Sequence, residues 1–193
     1  MFQAFPLTDP LPAVLRAFPA VHELRAPAGT AAHVGLAVRV LAGLPARPVL
    51  WVSTTPDWYP PGLAGLGLDP ARCLFAQVKD DAQALSSTET ALRGGMAAVV
   101  ECREVSRLTA RRLALAARQS GALGLVLRVA PARTAQDSSA FASRWMVQPA
   151  PQGRVRGTLL YAQGGMPGEY VFMLEEERDG PAPLAVPVLR RTG

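Results

Sequence analysis

Residues 21–129 alternate short apolar strands with helical segments, and this alternation is the feature that most limits the folds open to the chain. The apolar runs VLWVS, AAVVE and LGLVLRV are typical of strands covered on both faces. Most segments between the strands are long enough to be crossover helices. Strands joined by such helices form a parallel sheet with right-handed connections. The sequence therefore predicts an α/β fold with a mostly parallel sheet flanked by helices.

Capping residues and turn residues predict where these elements begin and end. Thr30 is predicted to cap the helix that follows the first strand, and Asp80 or Asp81 to cap the helix after VLWVS and CLFAQV. Gly94 is predicted to end that second helix. The segment TTPDWYPPGL, residues 54–63, is predicted to be a loop because of its prolines and glycine.

The pattern changes after residue 129. The segments SRWMVQPAP, RVRGTLLYAQ and EYVFMLEEE are strand-like, and GGMPG has the composition of a hairpin turn between the last two. A C-terminal antiparallel hairpin or meander is therefore predicted to extend the parallel sheet. We expect residues 1–20 to form an N-terminal segment, residues 21–176 to form a single domain, and residues 177–193 to form a flexible tail.

Composition excludes some classes of protein and leaves others open. Apolar residues make up 49% of the chain, which suits a globular core, and no run of about 18 apolar residues predicts a membrane span. The net charge of +5 comes with a single lysine, Lys79, and the bias toward arginine, alanine, glycine and proline is typical of a GC-rich genome. We therefore give the basic charge little weight as a sign of nucleic-acid binding. Cys73 and Cys102 are predicted to be reduced thiols of a cytoplasmic protein.

The segment APAGTAAH, residues 26–33, stands where a phosphate-binding loop would connect a strand to a helix. Such a loop needs G-x-x-x-x-G-K-[ST], because glycines let backbone N–H groups surround the phosphates, lysine reaches them, and the hydroxyl binds magnesium. Ala26 and Ala31 occupy the glycine positions, Ala32 the lysine position and His33 the hydroxyl position. Only Gly29 and the start of the helix remain. The sequence therefore predicts an erased ATP site, with no cofactor, no metal and no catalytic residue.

Glu101 stands at the end of AAVVE, where a magnesium-linked aspartate would lie in an ATPase of this layout. It is either a remnant of such a ligand or a polar residue that closes a buried strand. The second interpretation is favoured, because no lysine or hydroxyl stands opposite. After VLWVS, where a carboxylate would activate water, the chain has Thr54 and Thr55, with Asp57 close by.

The order APAGTAAH, VLWVS, GLGLDPARCLF, AAVVE and LVLR resembles the ATPase core of the RecA recombinase. The longer stretches ALRGGMAAVVE, LTARRLALAARQSGALGLVLR and GGMPGEYVFMLEEE are similar to the inducible-mutagenesis protein A (ImuA) family. The resemblance covers roughly residues 21–176 and rests on long stretches of similar sequence rather than on a catalytic motif. It implies a RecA-like fold.

The resemblance also implies a function. Proteins of this family work in the bacterial DNA-damage response, beside an inactive Y-family polymerase-like protein and an error-prone C-family polymerase. It thus implies a non-enzymatic adaptor of translesion synthesis that contacts the recombinase and the polymerase partner. Whether the protein also binds DNA weakly or forms homo-oligomers stays open. Two alternatives stay open: a division inhibitor like SulA, which binds the tubulin-like division protein, and a degenerate ATPase.

Several surfaces are candidates for contact with a partner or with DNA. On the helix SRLTARRLALAARQSG, arginines recur at helical spacing and form a basic stripe, which is either a contact surface or an ordinary solvated face. The aromatic residues of DWYPPGL either contact a partner or cover the core. The tail PLAVPVLRR either adds to a partner's groove or is unused. The candidate residues are Arg107, Arg111, Arg112, Arg118, Arg133, Trp58, Tyr59, Leu184, Val186, Val188 and Leu189.

Overall fold

The computed structural model describes residues 15, 19–55, 57–129, 140–163 and 168–174. Several predictions lie outside these residues. They concern Arg133, the tail residues Leu184, Val186, Val188 and Leu189, and most of the N-terminal segment and of the GGMPG turn.

Eight strands and four α-helices are assigned within the described residues, and a 3₁₀ turn, Pro70–Arg72, precedes the third strand. The strands are β1 Ala20–Ala26, β2 Val49–Ser53, β3 Cys73–Gln77, β4 Ala97–Glu101, β5 Leu123–Val129, β6 Ser143–Ala150, β7 Arg154–Ala162 and β8 Gly168–Met173. The helices are α1 Ala32–Ala42, α2 Pro60–Gly65, α3 Asp81–Arg93 and α4 Arg107–Ser120. None of these helices is both long and apolar enough to cross a membrane.

The strands form one sheet in the order β3-β2-β4-β5-β1-β6-β7-β8. Strands β1 to β6 run parallel to one another, whereas β7 pairs antiparallel with β6 and β8 pairs antiparallel with β7. The predicted fold class is therefore confirmed. One detail is new: β6 pairs in parallel with β1, so the C-terminal meander grows from the parallel sheet itself.

Both faces of the sheet are covered by helices, and each face has its own apolar core. On one face, Leu36 of α1 and Leu63 of α2 share a core with Trp51 and Trp145. On the other face, α3 and α4 pack on a second core that includes Leu113. Because the sheet lies between these layers, the strands are buried on both sides, which explains their continuous apolar runs.

Local signals explain most helix boundaries, with two corrections. Asp80 caps α3 by accepting a hydrogen bond from the Gln83 N–H at 2.8 Å, and Gly94 ends the helix, as predicted. The prediction for Thr30 is wrong: Ala31 is the N-cap without a side-chain hydrogen bond, and the Thr30 hydroxyl donates to the Pro27 carbonyl at 3.3 Å. The predicted loop of residues 54–63 is also wrong at its end, because α2 begins at Pro60, and proline suits the first turn of a helix.

Candidate functional site

The turn between β1 and α1 contains APAGTAAH, the segment that the sequence predicts to be an erased phosphate loop. Gly29 has φ +80°, a left-handed conformation that glycine adopts without strain. Ala31 and Ala32, at the start of α1, face a cavity rather than a ring of phosphate-binding groups. The turn therefore presents small, apolar side chains at the start of α1.

The cavity has a volume of about 540 Å³ and lies at the carboxyl ends of β2 and β4. This is where parallel α/β sheets bind their ligands. Its floor contains Trp51 and Glu101, and its walls come from α1, from α2 and its preceding segment, and from the β6–β7 turn with Leu174. The lining residues are Ala31, Ala32, Val34, Gly35, Val38, Trp51, Asp57, Trp58, Tyr59, Gly62, Leu63, Leu66, Glu101, Pro149, Gly153, Arg154, Val155 and Leu174.

The wall formed by the C-terminal strands depends on a close contact with α1. A Cβ atom placed on Gly35 would lie 2.8 Å from Leu174 Cδ1, so only glycine lets Leu174 pack this closely. The Leu174 amide also donates a hydrogen bond to the Gly153 carbonyl at 3.2 Å. These contacts join residues far apart in sequence, and the sequence pattern gave no sign of them.

Glu101 is held at the cavity floor by neighbouring side chains. Trp51 Nε1 donates to Glu101 Oε1 at 2.7 Å, and the Ser53 hydroxyl donates to Glu101 Oε2 at 3.3 Å. Burial raises the pKa of Glu101, and the negative charge of Asp57 adds to this effect, while the hydrogen bonds from Trp51 and Ser53 oppose it. These contacts fit a polar residue that closes a buried strand, the interpretation that the sequence favoured.

Trp58 and Tyr59 differ in their surroundings. Tyr59 is 70% exposed, as expected for a contact residue, but Trp58 packs against Phe75 with ring centroids 5.4 Å apart. The Nε1 atom of Trp58 is buried and has no hydrogen-bond partner among the described residues. Trp58 therefore belongs to the cavity wall, which fits the interpretation that this aromatic residue covers the core.

His33, which takes the place of the phosphate-loop hydroxyl, is 6% exposed. Burial lowers its pKa to about 4, and its Nδ1 atom has no hydrogen-bond partner within the described part of the chain. The side chain is therefore neutral near pH 7 and contributes no positive charge for a phosphate.

Acidic groups outnumber basic groups around the cavity. Among the described lining residues, Asp57 and Glu101 carry carboxyl groups and Arg154 is the only basic residue. The single lysine, Lys79, is not among the lining residues: it lies between β3 and α3, with its Nζ 3.8 Å from Asp80 Oδ2. No group of three His, Cys, Asp or Glu side chains within the described ranges has the arrangement of a metal site. A triphosphate in this cavity would therefore lie near two carboxyl groups and one arginine.

The outer face of α4 combines arginines with exposed leucines. Arg107, Arg111 and Arg118 are exposed and, within the described residues, have no ion pair. Next to them on the same surface, Leu108 is 68% exposed and Leu115 is 47% exposed. We call these five residues the α4 face. The α4 face thus places apolar and positively charged side chains side by side on one surface of the helix.

Arg112 has a different role from the other arginines of this helix. Its Nη2 lies 2.6 Å from Glu89 Oε2 of α3, and Arg93 binds the other Glu89 oxygen at 2.8 Å. Burial raises the pKa of Glu89, but the hydrogen bonds and charges of Arg93 and Arg112 outweigh it, so the net pKa is below its usual value. Arg112 therefore ties α4 to α3.

A buried charge cluster was not predicted from the sequence. Glu23 of β1 is 1% exposed and binds Arg25 at 3.0 Å and Arg128 of β5 at 2.8 Å, with Arg144 of β6 on its other oxygen. Burial raises the pKa of Glu23. The hydrogen bonds from Arg128 and Arg144 and the charges of Arg144 and Arg25 lower it by more, so the net pKa is below its usual value. Arg128 of this cluster is the penultimate residue of β5.

Comparison with known proteins identifies the family. A scan against protein-family models gives no match. The chain is 36% identical over 178 residues to Protein ImuA of Caulobacter vibrioides strain NA1000 / CB15N, which covers 81% of this chain and 72% of that protein. The chain belongs to the ImuA family. The ImuA protein of a second Caulobacter vibrioides strain, ATCC 19089, matches with the same identity and coverage.

Solved structures confirm the fold of this ImuA family member. The RadB recombinase superposes with a TM-score of 0.62 at 14% identity, covering 80% of this chain and 87% of RadB. This likeness confirms the RecA-like fold. SulA from Pseudomonas aeruginosa superposes with a TM-score of 0.47 at 26% identity, over 56% of this chain and 98% of SulA. A TM-score this low supports no conclusion about an ImuA protein.

Proposed function

We propose that this ImuA family member is a non-catalytic RecA-like adaptor in DNA-damage-induced translesion synthesis and mutagenesis. The observation that carries this proposal is the cavity at the position of the phosphate loop, which combines an apolar wall with two carboxyl groups. Membership of the ImuA family supports involvement in damage-induced mutagenesis. A protein with a RecA-like fold and no ATP chemistry still offers the surfaces through which such folds bind their partners.

Electrostatics argue against a retained ATPase. A triphosphate in this cavity would meet Asp57 and Glu101, with Arg154 as the one cation among the described lining residues. Two like charges about 4 Å apart repel by about 4 kcal/mol at a dielectric constant near 20. The lost lysine and magnesium ligand would have offset that repulsion. We therefore propose that the chain binds its partners without a nucleotide-driven step.

The proposed contacts are a RecA-type recombinase, an inactive Y-family polymerase-like protein and an error-prone C-family polymerase. The α4 face is the described surface that best suits such a contact. Its arginines attract an acidic surface at long range, while Leu108 and Leu115 provide apolar area that stabilises the complex once formed. The same arginines would bind DNA phosphates weakly.

Charge reversal on the α4 face tests this proposal. The Arg111→Glu/Arg118→Glu variant is expected to weaken binding to the recombinase or to the polymerase-like protein at least about tenfold, about 1.4 kcal/mol, because two favourable charges become repulsive. Binding would be measured with purified proteins by biolayer interferometry, at two salt concentrations.

A matched control separates a local contact from net charge. Arg103 and Arg156 are also exposed, and Arg103→Glu/Arg156→Glu changes the charge of the protein by the same amount. This control is expected to bind as the parent does. Equal weakening by both variants would contradict the α4 face as the contact. Failure of the parent to bind either protein at micromolar concentration would contradict the adaptor function itself.

A further inference from the structure

The cavity that replaces the nucleotide site is closed on several sides, which limits what it can hold. Trp51 and Glu101 form its floor, Val34 and Val38 of α1 form one wall, and Leu63 of α2 forms another. The β6–β7 turn and Leu174 form a further wall. A concave volume of about 540 Å³ between such walls, open to solvent on one side, suits a compact small molecule.

The chemical character of the lining points to an apolar, aromatic ligand. Trp51, Trp58 and Tyr59 offer three aromatic side chains, and aliphatic residues make up most of the remaining surface.

Charge decides between a neutral and an anionic ligand. Asp57 and Glu101 lie in the lining, so an anion would be repelled. The Glu101 oxygens already accept hydrogen bonds from Trp51 and Ser53, which leaves Glu101 less able to bind a cation. Arg154 on the opposite wall disfavours a cation further. An uncharged ligand meets none of these penalties.

We propose that this cavity is a binding site for a small, uncharged, largely aromatic molecule that packs against Trp58 and Tyr59. The site would then be a former nucleotide site that now takes a ligand of the opposite character. The proposal does not depend on which proteins the chain contacts, so it can fail while the adaptor function stands.

Prodan, a neutral naphthalene ketone whose emission reports on polarity, is a suitable probe. Titration of the full chain is expected to give saturable binding at one site with a blue-shifted emission. The anionic probe anilinonaphthalene sulfonate is expected to bind at least about tenfold more weakly, because its sulfonate would lie near two carboxyl groups. Equal binding of both probes, tight binding of magnesium–ATP, or absence of saturable prodan binding would each overturn the proposal.

Variants place the probe in the cavity. Ala31 is exposed and lines the cavity, so Ala31→Trp is expected to fill part of the volume and to weaken prodan binding at least about tenfold without disturbing the core. Ala82, exposed at the start of α3 on the other sheet face, is the matched control, and Ala82→Trp is expected to leave binding unchanged. Unchanged binding in Ala31→Trp, or equal loss in both variants, would contradict the site.

Trp58→Phe tests the aromatic wall and guards against a folding failure of the first variant. It replaces the indole by a smaller ring, so prodan is expected to lose contact area and to bind a few-fold more weakly. Unchanged binding of prodan in a folded Trp58→Phe variant would contradict a contact between the ligand and this wall.

Discussion

Replacing His33 by leucine tests whether this side chain, next to the turn between β1 and α1, is buried and neutral in the folded protein. His33 is 6% exposed, and burial lowers its pKa to about 4 from an ordinary value of 6.5. Its Nδ1 atom has no hydrogen-bond partner among the described residues. A buried imidazole of this kind favours the neutral form in the folded protein only.

The direction of the pH effect follows from the two pKa values. Above pH 6.5 the side chain is neutral in both states, and the free energy of unfolding has no contribution from its titration. As the pH falls from 6.5 toward 4, the unfolded chain binds a proton that the folded protein does not. Stability then falls by about 1.4 kcal/mol per pH unit, and the loss between about pH 7.5 and about pH 5 sums to about 2 kcal/mol.

His33→Leu is expected to remove this loss, because leucine has similar bulk and does not titrate. The measurement is urea denaturation of parent and variant near pH 7.5 and pH 5, followed by tryptophan fluorescence and extrapolated to zero urea. Carboxyl groups such as Glu23 and Glu101 titrate in both proteins, so their contribution cancels in the difference. Parallel pH dependences in parent and variant would refute a buried, neutral His33.

Two further substitutions test the charge cluster and the C-terminal strands. Glu23→Gln is expected to lower the free energy of unfolding by about 3 kcal/mol, because it removes the buried charge that three arginines share. Glu89→Gln is expected to lower it by about 1 kcal/mol or less, because the arginines that bind Glu89 are exposed. Equal losses in urea denaturation would contradict this. Gly157→Ala is expected to cost about 1–3 kcal/mol, because its Cβ would lie 2.6 Å from Phe172, whereas Gly65→Ala meets nothing within 4 Å and is expected to be neutral or slightly stabilising, as thermal melts would show.

The fold could be predicted because its signals are local. Each buried strand is a continuous apolar run, and the helices α3 and α4 begin at Asp80 and Ser106, whose side chains accept hydrogen bonds from their first turns. Gly121 ends α4 with φ +70°, a conformation that favours glycine. These features need only a few neighbouring residues to be recognised. The short helix α2 was missed because its composition, PPGLAG, is also that of a loop.

The charge cluster could not be predicted because it is assembled across the sheet. Within VHELRA, Glu23 and Arg25 have the pattern of polar residues on one exposed face of a strand. Every residue of β1 is nevertheless buried. Burial of Glu23 is tolerated because its charge is neutralised by Arg128 of β5 and Arg144 of β6. Both arginines are more than 100 residues away in sequence. Such a pairing depends on strand order and register, which a single sequence does not display.

The candidate site divides in the same way between local and long-range features. The predicted loss of phosphate chemistry rests on local residues, since Ala31, Ala32 and His33 stand where three required residue types would be. What replaced that chemistry is not local, because Trp58 enters from the segment before α2 and Leu174 packs on Gly35 from the end of the sheet. A substitution within a motif indicates which chemistry is missing. The side chains that line the site instead decide what it can bind. Because the replacement is an aromatic cavity with two carboxyl groups rather than a solid core, its ligand preference is the property that separates a new site from a merely collapsed one.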